Sequence, residues 1–167
     1  MSRKAQLIAL ASSFGVVSIL SYMQARKPKP MTSDKRQEIV DIAKAEIGQQ
    51  DPQKYWEDVI PGVSDFHGAW CGGFTLWALH QAGVAKGVNW TIGKGYCYQL
   101  PITTDPQPGD IAYFDQPYQH HAIVVSNENG KLVTVDGNQP GNTVKLRERE
   151  SDSPTAFYSI EPLLSAA

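Results

Sequence analysis

Nineteen consecutive uncharged residues, Ala5 to Met23 (AQLIALASSFGVVSILSYM), lie between two clusters of basic side chains. As a helix rising about 1.5 Å per residue, such a run reaches roughly 28 Å, close to the thickness of a bilayer's hydrocarbon core. Core helices of soluble folds rarely lack a polar face. This run is therefore read as a hydrophobic leader helix and kept out of the fold. The charges divide at the same place. Residues 1–30 carry Arg3, Lys4, Arg26, Lys27 and Lys29 with no acid, a net +5, whereas the rest holds 10 basic and 17 acidic residues, a net −7. Lys27-Pro-Lys-Pro30 reads as an extended linker, because two prolines forbid a continuing helix. The expected division is residues 1–30 as signal-anchor or signal peptide plus basic linker, and residues 31–167 as one compact domain. No A-x-A cleavage site stands around Ser21 to Ala25, so an uncleaved anchor fits better than a cleaved signal. Export to the cell envelope or periplasm, with inner-membrane association through residues 5–23, is the expectation.

Two cysteines exclude a disulfide framework and a four-thiolate zinc site. The acidic balance of residues 31–167 argues against a nucleic-acid binder. No His pair has helical spacing, no Asp-rich calcium loop is present, and the glycines around Gly93 and Gly95 fit no phosphate loop. No metal or cofactor is expected, and the domain is expected to be a monomer.

Ser33 or Asp34 can cap a helix whose apolar residues Ile39, Ile42, Ala43 and Ile47 recur at three to four, with Gly48 as its stop. Residues 49–69 read as an aromatic-containing loop. A second helix is expected from Cys71 to about Gln81, ended by Gly83. Short strands follow at Ile111–Phe114, Ala122–Ser126, Leu132–Asp136, Val144–Arg147 and Phe157–Ile160, with Pro108-Gly109-Asp110 and Glu128-Asn129-Gly130 as turn chemistry. Helices followed by an antiparallel meander define an α+β domain.

A cysteine becomes a nucleophile when a helix N-terminus and an imidazole lower its pKa from about 8.5. Cys71 opens the second helix, and Gly72 and Gly73 let a substrate backbone approach. Cys97, between Tyr96 and Tyr98, has no such placement and reads as a bystander. His120-His121 opens one strand, and Asp136-Gly137-Asn138 closes the next, so antiparallel pairing brings imidazole and carboxylate together. His80 reads as solvated and His67, four residues before Cys71, as cleft-lining. Trp70, Trp77 and Trp90 read as core, with Trp70 also beside the nucleophile as a substrate contact.

These residues fall in a recognisable series: Trp70-Cys71-Gly-Gly-Phe74, Pro108-Gly109-Asp110-Ile111, His120-His-Ala-Ile-Val124 and Val135-Asp-Gly-Asn138. Their order, with 49 residues from Cys71 to His120 and 16 from there to Asp136, resembles the papain-like cysteine, histidine-dependent amidohydrolase/peptidase (CHAP) domains of phage and bacterial cell-wall hydrolases. The resemblance covers residues 35–150. It implies a papain-like domain with N-terminal helices packed on an antiparallel sheet, with Cys71 as nucleophile, His120 as base, Asp136 as orienting residue and Asn138 as an auxiliary polar group. It also implies peptidoglycan as the partner and an amide bond as the target. Such domains often carry Glu where this chain has Asp136, and the shorter side chain demands a closer approach of the strands. The weakly hydrophobic, Ala-, Ser- and Gly-rich leader resembles the signal-arrest-release segments of some phage lysins. The alternatives are a papain-fold amidase acting as a toxin or on a non-wall substrate, and a catalytically idle wall-binding module.

The hairpin register decides between the two histidines. A two-residue Asn129-Gly130 loop sets Ile123 across from Asp136 and turns His121 toward the acid. A three-residue Glu128-Asn129-Gly130 loop sets Ala122 across from Asp136 and favours His120. The family resemblance favours His120, and with it the three-residue loop.

Overall fold

The computed structural model of the chain describes residues 31–60, 62, 68–85, 88 and 95–166. The leader helix and linker expected at residues 1–30 lie outside the described residues, as do His67, Trp90 and Gly93. Among the described residues, no helix is long and apolar enough to cross a membrane.

Helix α1 (Met31–Ala45) buries Ile39, Val40 and Ala43. It begins before the expected cap, so Asp34 sits in its first turn, where a negative charge meets the positive end of the helix dipole. Ile47, expected on the buried stripe, lies beyond the helix end and is 45% exposed. The turn there closes at Gly48, whose φ of 91° suits a residue without a side chain. The stretch read as a loop contains helix α2 (Gln53–Val59), which follows Pro52 and buries Tyr55, Trp56 and Val59. Two turns are too few to display a helical period, and local aromatic packing holds them. Helix α3 (Cys71–Gln81) has the expected limits. It is the central element: Phe74, Leu76, Ala78 and Leu79 are fully buried, and α1, α2 and the sheet all pack against it. A 3-10 turn (Gly95–Gln99) carries the buried Cys97.

Six antiparallel strands form one sheet in the order β1-β6-β2-β3-β4-β5. They are β1 (Ile102–Thr103), β2 (Ile111–Phe114), β3 (His120–Glu128), β4 (Lys131–Gln139), β5 (Thr143–Glu150) and β6 (Ala156–Tyr158), and helix α4 (Glu161–Leu164) ends the domain. Alternation divides the side chains between two faces. Ile111, Tyr113, Ile123 and Val135 join the helices in the main core, while Ala112, Phe114, Ala122, Val124 and Leu132 cluster apart from them. The α+β class is as expected.

The β3–β4 hairpin reaches the expected register at the site by a different route. Glu128 pairs with Lys131, so the loop is the two-residue Asn129-Gly130, both with positive φ (53° and 78°) as in a mirror-image turn. A β-bulge at Val125 then inserts one residue, after which Val124 faces Thr134 and Ala122 faces Asp136. The three-residue loop is thus corrected to a tight turn plus a bulge.

The Pro108-Gly109-Asp110 turn ties the ends of the domain together. Buried Asp110 accepts hydrogen bonds from Arg36 of α1 (2.8 Å), from the Gln107 N–H (2.9 Å) and from the Ile160 N–H (3.0 Å). Arg36 also binds Glu161 at 2.9 Å. Removing one member of such a buried pair leaves the other charge uncompensated, at a cost of about 3–5 kcal/mol. Asp110→Ala should therefore lower the free energy of unfolding by about that amount in urea titration, while Glu161→Ala, which removes an exposed partner, should cost less than about 1 kcal/mol.

Candidate active site

The first turn of α3 places the Cys71 thiol, 5% exposed, at the positive end of a helix dipole. Strand β4 approaches that turn closely. A Cβ on Gly137 would stand 2.8 Å from the Phe74 Cβ and from the Trp70 ring, so only glycine lets the strand lie there. The β4–β5 ladder shifts by one residue between Asp136 and Gln139, and Asn138, in this bulge, has a φ of 56°. Trp70 is buried, stacks on Tyr55 at 5.4 Å and donates its indole N–H to Asn142 Oδ1 at 2.8 Å. It fixes the residue next to the thiol from within the core and presents almost no ring to solvent.

His120 begins β3. Its Nε2 lies 2.7 Å from Asp136 Oδ2, reached diagonally because Ala122 is the residue directly opposite Asp136. Asp136 has no solvent exposure, and two other groups hold it. Arg149 of β5 engages both carboxylate oxygens, and the Thr134 hydroxyl donates to Oδ1. The Arg149 guanidinium also lies 4.8 Å from the Phe114 ring centre, within cation–π range. The amide that reaches the imidazole belongs to Gln139, whose Nε2 is 3.3 Å from His120 Nε2. Asn138, two residues beyond Asp136, has no side-chain hydrogen bond among the described residues.

His121 is buried against Tyr113, with ring centres 5.2 Å apart, and its Nδ1 is 3.8 Å from the Cys71 sulfur. Both histidines thus meet the thiol. Burial opposes ionisation of Cys71, but hydrogen bonds and positive charge from His120 and His121 outweigh it, and the thiol pKa falls to about 6. Burial would also push His120 down, yet its hydrogen bonds to Asp136 and Cys71 and the charge of both raise it to about 9. The Asp136 carboxyl, against its own burial, is held below the usual value by His120 and Arg149. The result is a thiolate–imidazolium pair, backed by a carboxylate that cannot leave its place.

Cys71, His120 and Asp136 therefore come together as the motif series implies. Gly72 lies buried in the first turn of α3, its carbonyl accepting from the Thr75 hydroxyl at 2.9 Å. His80 is half-buried away from the thiol, with Nδ1 2.7 Å from Asp58 Oδ2. Cys71 and Cys97 are both free. Arg149, Thr134, Gln139 and the thiol contact of His121 were not read from the sequence. Arg149 sits in an alternating Arg-Glu-Arg-Glu run that reads as an exposed strand, and only the β4–β5 pairing brings it to Asp136.

A helix-borne thiol facing an imidazole that a buried carboxylate orients, on a helix-and-antiparallel-sheet scaffold, is an arrangement chemically able to act as a cysteine–histidine nucleophilic centre. Residues 63–138 match the family model of the CHAP domain, the family that the motifs resemble. CHAP domains are typically hydrolases of the amidase or peptidase kind. The match spans Cys71, His120 and Asp136 and ends before Arg149. No curated protein and no solved structure matches the chain.

Arg149 is the cation that offsets the burial of Asp136. Arg149→Met should destabilise the domain by about 3 kcal/mol in urea unfolding, as for the loss of one partner of a buried ion pair. Arg149→Lys should recover part of that loss, because an ammonium supplies the charge without the two-pronged geometry.

Proposed function

We propose that residues 31–167 form a peptidoglycan hydrolase that cleaves an amide bond through a Cys71 acyl-enzyme. The observation that carries this reading is the Cys71–His120–Asp136 arrangement, with the thiol pulled down to about 6 and the imidazole pushed up to about 9. His120 uses Nε2 for Asp136, which leaves Nδ1 for the thiol side. The thiolate attacks the amide carbonyl carbon, and the carbonyl π electrons move to oxygen. N–H groups at the start of α3, including that of Cys71, stabilise this oxyanion. Collapse breaks the C–N bond, and the imidazolium gives its proton to the departing amine. Neutral His120 then takes a proton from water, which attacks the thioester and expels the thiolate. Asp136 holds the ring in place and stabilises its charged form throughout.

The substrate class rests on the CHAP domain together with the leader read at residues 1–30, which on this reading delivers the domain to the cell envelope where peptidoglycan lies. The bond is in a stem or cross-bridge peptide or at the junction of N-acetylmuramic acid and L-alanine. Mass spectrometry of fragments released from purified walls separates these.

Two outcomes are expected. Cys71→Ala abolishes lysis of purified cell walls while binding to them persists; unchanged lysis would remove Cys71 from the chemistry. The active form needs an ionised thiol and a protonated imidazole together. Below about 6 the thiol regains its proton, and above about 9 the imidazolium loses its own. The rate constant kcat/KM should therefore describe a bell over pH with limbs near those values. A profile rising through a single alkaline limb, as for an ordinary thiol, would contradict the ion pair.

A further inference from the structure

We propose that His121 is a second catalytic histidine, which donates a hydrogen bond from Nδ1 to the Cys71 thiolate and holds that thiolate while His120 moves protons. The proposal deepens the hydrolase reading and rests on its assignment of Cys71 as nucleophile. Its ground is geometric. His121 Nδ1 is 3.8 Å from Sγ, within hydrogen-bonding range for sulfur, and the contact is buried. The ring is 2% exposed and wedged edge-on against Tyr113, so it is not a side chain that swings in from solvent. A thiolate has no proton to give. The nitrogen facing it must be the one that carries hydrogen, which fixes His121 as donor in the reactive state.

The two rings approach the sulfur under different constraints. His120 is bound to Asp136 at 2.7 Å, with Arg149 and Thr134 behind the carboxylate, so its protonated form is stabilised and it can cycle between acid and base. His121 meets Cys71 from α3 and Tyr113 from β2, with His120 beside it in the chain. Once His120 has given its proton to the amine, its charge is gone, and deacylation must regenerate the thiolate with that ring newly protonated by water. A second donor at the sulfur stabilises the thiolate at both ends of the cycle without exchanging a proton.

The test reads the thiol directly, through the pH dependence of Cys71 alkylation by iodoacetamide in the whole chain, with and without wall substrate. Cys97 is replaced by Ala so that one thiol reports. His121→Phe keeps a ring against Tyr113 and removes the donor. The alkylation midpoint should rise by about one to two pH units, and kcat should fall about 10- to 100-fold with KM little changed, the scale of a lost hydrogen bond to a charged group. His121→Asn returns a side-chain N–H close to the place of Nδ1 and should bring the midpoint back toward that of the parent. An unmoved midpoint in His121→Phe overturns the proposal, and so does a His121→Asn midpoint as high as that of His121→Phe, since His121 would then act by packing alone. Because alkylation needs no wall substrate, a chain that fails to hydrolyse walls yet shows the His121-dependent midpoint refutes the peptidoglycan reading and leaves the role of His121 standing.

Discussion

A carboxylate with no solvent contact sits at the centre of this domain, and the arrangement of the site follows from the need to compensate it. Transferring a lone carboxylate into a protein interior costs several kcal/mol even after relaxation. Asp136 is kept ionised because Arg149 covers both oxygens, Thr134 donates to one and His120 binds the other. Those partners come from three strands, β3, β4 and β5, so the charge on one side chain couples their positions. The imidazole is oriented because it is one of the groups the carboxylate requires. Chemistry and packing share the same contacts there.

The opposite wall of the site is built by close approach. Helix α3 is buried on almost every side and has no polar cap, so its first turn is positioned by contact with the sheet rather than by solvent. Gly137 allows that contact, and Trp70 is pinned from behind by Tyr55 and by Asn142 of the β4–β5 turn. Cys71 thus has little freedom relative to His120. Such fixed placement lets two imidazoles outweigh the desolvation of a buried thiol.

Much of the fold was legible where local chemistry is unambiguous. Helix α3 announced itself by its apolar positions and by Gly83, and the strands by their turns. Helix α2 was missed because seven residues with clustered aromatics show no period. The carboxylate and its histidine were legible through motif order, and the aspartate does reach the imidazole, at 2.7 Å. Arg149 was not legible, since an alternating charged strand looks the same whether one of its cations is solvated or buried against an acid. Asn138 was placed in the site by motif, whereas Gln139, whose amide reaches the imidazole past the shift in the β4–β5 ladder, was not.

The bulge at Val125 separates the geometry of the turn from the geometry of the site. Counted back from Asn129-Gly130 without it, the ladder would set Ile123 opposite Asp136, and His121 would stand where His120 now stands. A histidine doublet at the head of β3 therefore offers an imidazole to the carboxylate in either frame, while its neighbour turns toward the helix. Deleting the bulged residue leaves the pairing at Asp136 unchanged, because the strand upstream simply closes the gap. The hairpin thus tolerates a single-residue deletion at that point, and the spacing from histidine to turn is free to vary by one without unmaking the pair.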